Sequence, residues 1–232
     1  MNAPPGFAVS MVLLSLAVAA AFLVAVARVS RGSLMKATVG VVVWMAVPAA
    51  LAAAGRLSFD TVPPTMLVLL AVLVTGTVAF SRGDLGGRIA TGLPLQALIG
   101  FQGFRVLVEL WLHRGYEEGL FPVQMTYSGW NFDIVTGISA VAVGLLVARG
   151  VVGRRTVLAW NVVGLALLLV IVTIAILSAP VPFRAFRADP PNVYVTGFPG
   201  VWLPVVLVQA ALLGHLLVFQ RLGQGGGARG NR

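Results

Sequence analysis

Apolar residues run almost unbroken through seven stretches of this chain, each ended by charges, glycine or proline. A bilayer hydrocarbon core of about 30 Å takes roughly 20 mostly apolar helical residues, so each stretch predicts a transmembrane helix. The expected spans are Phe7 to Ala27, Ala37 to Ala54, Pro63 to Phe80, Ile89 to His113, Phe132 to Ala148, Thr156 to Ser178 and Gly200 to Phe219. The fold class is therefore all-α, a polytopic membrane protein with seven spans. Residues 1–222 form a single domain, and 223–232, reading GQGGGARGNR, a flexible Gly/Arg-rich cytoplasmic tail. The first run reads as a retained span and not as a signal peptide, since residues 1–6 hold no Lys or Arg and the run exceeds an h-region of about 7 to 15 residues.

Charge fixes the expected orientation. Sorted by alternate connections, eleven of the 16 basic residues fall on one side, including Arg28, Arg31, Lys36, Arg82, Arg88, Arg149, Arg154 and Arg155, and only Arg56, Arg114, Arg184 and Arg187 on the other. The basic side is the cytoplasmic one, which puts the amino terminus outside and the carboxyl terminus inside, in a bacterial-type inner or plasma membrane. Asp60, Glu117, Glu118, Asp133 and Asp189 fall outside and Asp84 alone inside. The net charge of +9 then faces anionic inner-leaflet lipid and not nucleic acid. Membrane lipid is the expected partner, with a membrane protein or a second copy of the chain as a further one. Trp111, Trp130, Trp202, Tyr116, Tyr127 and Tyr194 fall at the outer boundary or in the outer loops, where interfacial aromatics concentrate.

Composition agrees: 59% hydrophobic and 10% charged residues exclude an ordinary soluble domain. The absence of cysteine removes disulfides, thiolate metal sites and thiol catalysis. Some polar residues read as helix punctuation, with Asp60 and Thr61 capping a helix that has Pro63 and Pro64 in its first turn, and Asp133 capping the fifth span beside Asn131. Pro48, Pro94 and Pro204 should kink their spans. The outer connections at about 114–131 and 179–199 are long and rich in Pro, Gly and aromatics, and read as lids over the helix ends.

The fourth span alone carries a dense polar stripe, Gln96, Gln102, Arg105, Glu109 and His113. At about 100° per residue the last four share an arc of about 80°, and Glu109 is i,i+4 to both Arg105 and His113, so its carboxylate should bridge guanidinium and imidazole. Ionised groups at this depth must face other helices or water. Depth counting brings Gln209 of the last span level with Arg105. Tyr127, Trp130, Asn131, Asp133 and Arg184 form the expected outer rim. Asn161 and His215 form a separate, more cytoplasmic layer of interhelical hydrogen bonds.

The stripe reads as an outward-facing pocket binding or moving a small polar solute, anion or proton, with Arg105 holding an anionic group and His113 exchanging protons. The alternatives are a non-catalytic membrane partner or assembly subunit, and an intramembrane enzyme acting on a lipid or isoprenoid with Glu109 and His113 as its acid-base pair. No cofactor or metal is expected. His113 and His215 stand too far apart in depth for bis-histidine haem, a zinc signature is missing, and the single lysine, Lys36, lies outside the last span, which excludes a retinal Schiff base. Ser128 in Tyr-Ser-Gly-Trp lacks the nucleophile-elbow pattern.

Overall fold

A computed structural model describes residues 3–227, with side chains to 224. Among these residues the structure is all helix and loop: α1 (Pro5–Val29), α2 (Leu34–Ala53), α3 (Thr65–Arg82), α4 (Asp84–Gly92), α5 (Leu95–Phe101), α6 (Phe104–Glu117), α7 (Asp133–Ala148), α8 (Arg154–Ser178) and α9 (Val208–Gly227). Six helical segments are long and apolar enough to cross a membrane, with α5 and α6 counted as one; α7 is apolar but shorter. Leu13, Val39, Val47, Val141 and Val163 point away from the protein, forming the kind of apolar periphery a bilayer covers.

Six of the expected spans fall on helices, five of them with both ends within three residues; the seventh, expected over Gly200 to Phe219, continues to Gly227, and the fourth does not form one helix. Leu93 is extended and Pro94 stands before the first residue of α5, so the run from Ile89 is cut there, and α4 is a separate short helix. The cause is local, since proline disfavours the helical conformation of its predecessor and offers no amide hydrogen. A second break follows at Gln102 and Gly103. Their backbone N–H groups bond three residues back, to Ile99 and Gly100, as do those of Arg105 and Val106. This tighter turn offsets α6 from α5, so Gln102 and His113 do not lie on one regular helix.

The other prolines behave differently. Helix α2 continues through Pro48. Around Pro204 the chain takes a π-helical turn, Leu203–Leu207, before α9, and two carbonyls there find side-chain donors. Trp44 Nε1 donates to Val205 O at 2.8 Å and Gln209 Nε2 to Pro204 O at 3.1 Å, which is the compensation a broken ladder needs in lipid. Pro63 and Pro64 precede α3 instead of forming its first turn. Thr61 Oγ1, not Asp60, accepts the Thr65 N–H, at 3.1 Å. The expected tail begins inside α9, which runs to Gly227; residues 228–232 lie outside the described residues.

The packed interior divides along the helix axes. Near the Arg28 end, Val26, Ile89, Leu98, Ile99, Val157 and Leu217 form one apolar cluster. Toward the opposite end Phe7, Trp111, Phe121, Met125 and Tyr194 belong to a larger one, with Phe7 stacked on Trp111 at a centroid distance of 4.3 Å. Loops 118–132 and 179–202 pack into the larger cluster at that end. Their own Leu120, Phe121, Met125, Val181 and Val195 are buried, and Gln124 Nε2 donates to Ser178 Oγ at 3.0 Å. Between the two clusters lies a polar layer.

Candidate functional site

The polar layer is built where α6, α7, α8 and α9 meet. Arg105 of α6 is 2% exposed and its guanidinium is almost fully engaged. Nε donates to Asp133 Oδ2 at 2.7 Å, Nη2 donates to Asp133 Oδ1, Nη1 faces His215 Nε2 at 2.8 Å, and Gly164 O lies 3.4 Å from Nη2. A guanidinium only donates, so His215 Nε2 is the acceptor and the ring proton sits on Nδ1. Nδ1–H then donates to Asn161 Oδ1 at 2.8 Å, while Asn161 Nδ2 donates to the His215 carbonyl at 3.1 Å. One arginine thus determines the tautomer of the histidine and the orientation of the amide.

Small residues make room for these groups. A Cβ on Gly164 would lie 2.7 Å from His215 Cε1 and one on Gly137 2.8 Å from the Val106 nitrogen, so the first glycine seats the imidazole and the second brings α7 against α6. Gly214 likewise leaves space for Gln102, whose Nε2 donates to Ala211 O at 2.9 Å.

Glu109 is also buried, but its partner is Asn131. Asn131 Nδ2 donates to Glu109 Oε2 at 2.5 Å and to Met125 O at 3.0 Å, and Asn131 Oδ1 accepts the Asp133 N–H at 3.0 Å. Asn131 thus takes the first N–H of α7, while the Asp133 carboxylate turns to Arg105 and does not cap the helix. The expected bridge from Glu109 to both neighbours is corrected: among the described residues no ion pair joins Glu109 to Arg105 or to His113. The i,i+4 attraction between Arg105 and Glu109 gives way to a bidentate pair with Asp133, which satisfies two donors at once.

His113 stands apart from the layer. It stacks on Tyr127 at a centroid distance of 4.4 Å and lies 3.9 Å from Glu117 across one helical turn. Gln209 is not a neighbour of Arg105 either; its Oε1 accepts from Thr77 at 2.8 Å. His215 takes that place. Arg105 lies twelve residues from the Glu117 end of α6, and His215 twelve residues from Leu203, where the helical turn leading into α9 begins. Depth counting from the expected ends, His113 and Gly200, misjudged both helices and so put His215 and Asn161 in a separate layer. Of the expected rim, Asn131 and Asp133 are buried parts of the layer, Tyr127 is half-buried against His113, and Trp130 is exposed. Arg184 donates within its own loop, to Phe186 O and Ala188 O.

Arg105, Asp133, Glu109 and His215 are each almost fully buried. A cavity of about 700 Å³ lies elsewhere, between α1, α2, α3 and α9, with α4 at one end; neither Arg105, Glu109 nor His113 lines it. Its walls are apolar apart from Thr77 and Gln209, which bond each other, and Arg28, Ser33 and Lys36 at one end. No sequence signal marks this site, because its lining residues belong to five separate apolar runs and share no periodicity.

Residues 63–223 match a family described as a domain of unknown function (DUF8737). No curated protein and no solved structure matches the chain. The matched region holds the whole polar layer and the α3, α4 and α9 walls of the cavity, whereas α1 and α2 precede it.

Proposed function

We propose that this chain, which belongs to the DUF8737 family, is a seven-span protein of the cell membrane that binds a lipid chain in the cavity between α1, α2, α3 and α9. The seventh span is α7, whose 16 residues rise about 24 Å, short of the core by an amount that local thinning of the bilayer accommodates. The amino terminus is outside and the carboxyl terminus cytoplasmic, on the asymmetry of the basic loops.

The observation that carries the reading is a contrast. The charged groups are buried and use one another as partners, whereas the open volume is apolar and about the size of a small-molecule pocket. In lipid, helices gain nothing from hiding apolar surface from one another, so packing and interhelical hydrogen bonds specify the bundle. The Arg105, Asp133, His215 and Asn161 network serves that end by joining four helices. Binding of a chain in the cavity is then non-catalytic, as befits a lipid-binding partner or assembly subunit.

Gly40 lines the cavity, and a Cβ there meets nothing within 4 Å. Lipid retained by the wild type and by Gly40→Phe after mild detergent extraction, measured by mass spectrometry, tests the reading. The wild type should keep a stoichiometric lipid that the variant loses. Equal retention by both would end it.

A second reading, a path for a proton or small ion through the polar layer, is favoured by one observation: two buried carboxylates, Glu109 and Asp133, accompany a single guanidinium. Electroneutrality of that group calls for one more positive charge.

A further inference from the structure

We infer that the occupant of the cavity is an anionic glycerophospholipid of the cytoplasmic leaflet, its phosphate held by Arg28 and Lys36; this rests on the lipid-binding reading above. The cavity is charged at one end only. Arg28 in the last turn of α1 and Lys36 in the first turn of α2 line it, with Ser33 between them, and no Asp or Glu does.

Depth matches a single leaflet. From Lys36 to Trp44, both on the cavity wall, α2 rises about 12 Å, against about 15 Å for half a hydrocarbon core. At the level of Trp44 the wall carries the Trp44 bond to Val205 O and the Thr77–Gln209 pair. An acyl chain entering beside the two cations therefore ends near mid-bilayer. A chain inside the cavity is no better off than one in the surrounding lipid, so preference has to come from the headgroup, and a phosphate between two cations supplies it.

The test uses the full chain in nanodiscs of phosphatidylcholine doped with phosphatidylglycerol, followed by native mass spectrometry of the retained lipid. Three variants are compared with the wild type: the pair Arg28→Gln and Lys36→Gln, the pair Arg149→Gln and Arg155→Gln, and Gly40→Phe. The second pair removes equal charge from the same end of the protein but does not line the cavity. Enrichment of phosphatidylglycerol over its share in the disc, lost in the first pair and kept in the second, supports the proposal. Retained lipid with no headgroup preference, or equal loss of preference in both pairs, overturns the headgroup assignment while the Gly40→Phe effect stands. Lipid retention indifferent to Gly40→Phe overturns the cavity reading itself, and this inference with it.

Discussion

Arg105 and Asp133, 28 residues apart in sequence, form a bidentate buried pair that ties α6 to α7. Removing one partner leaves the other charge buried and uncompensated, which costs about 3–5 kcal/mol. Asp133→Ala should therefore lower the unfolding midpoint in detergent by many degrees. Arg105→Met combined with Asp133→Leu removes both charges and should recover most of the loss, because apolar replacement of a buried pair is often neutral or better. A single variant as stable as the wild type would mean that the pair holds nothing together.

The seat of the imidazole offers a sharper test. Gly164→Ala puts a methyl group 2.7 Å from His215 Cε1, so the ring must move and its bonds to Arg105 and Asn161 stretch. Overpacking of this kind costs about 1–3 kcal/mol. Gly40→Ala serves as the matched control: it meets nothing and gains helix propensity, so it should be neutral or stabilising by up to about 1 kcal/mol. Thermal unfolding of the two side by side checks the difference, and equal midpoints would refute the steric argument.

The apolar runs made six helices legible, because hydropathy reports spans directly. The polar layer was legible only in part. Arg105 and Glu109 stood out as charges within an apolar run, and their burial follows from that. Their partners did not stand out, since Asp133 and Asn131 sit at a helix start, where capping explains them equally well, and His215 was displaced by the misjudged ends of two helices. The breaks at Pro94 and Gln102 also undo any arc counted at a constant 100° through the fourth span. Lateral cavities leave no trace in sequence, because their walls and the lipid-facing surfaces use the same residues.

Orientation can be measured cleanly, because the chain contains no cysteine. Ser128 and Val151 are exposed and lie in connections on opposite sides of the expected topology. An impermeant maleimide added to intact cells should label Ser128→Cys and leave Val151→Cys unmodified until the membrane is permeabilised. The reverse pattern would invert the chain, and labelling of both in intact cells would remove a span from between them.

Glu109 separates the lipid-binding reading from the proton or ion path. In Glu109→Gln the new amide oxygen can still accept from Asn131 Nδ2, so stability should change by no more than about 1 kcal/mol. His113→Ala should change it by less than about 0.5 kcal/mol, because His113 lies outside the buried network and its contacts are partly exposed. If the layer only holds helices together, vesicles with wild-type protein and with Glu109→Gln will show the same proton leak in a pH-jump assay, and lipid retention will be unchanged. If the second carboxylate carries a proton or ion, the wild type will conduct and Glu109→Gln will not, at equal folded amounts. That result would replace the structural reading of the layer with transport. Conduction lost in His113→Ala as well would extend the path to the surface stack on Tyr127.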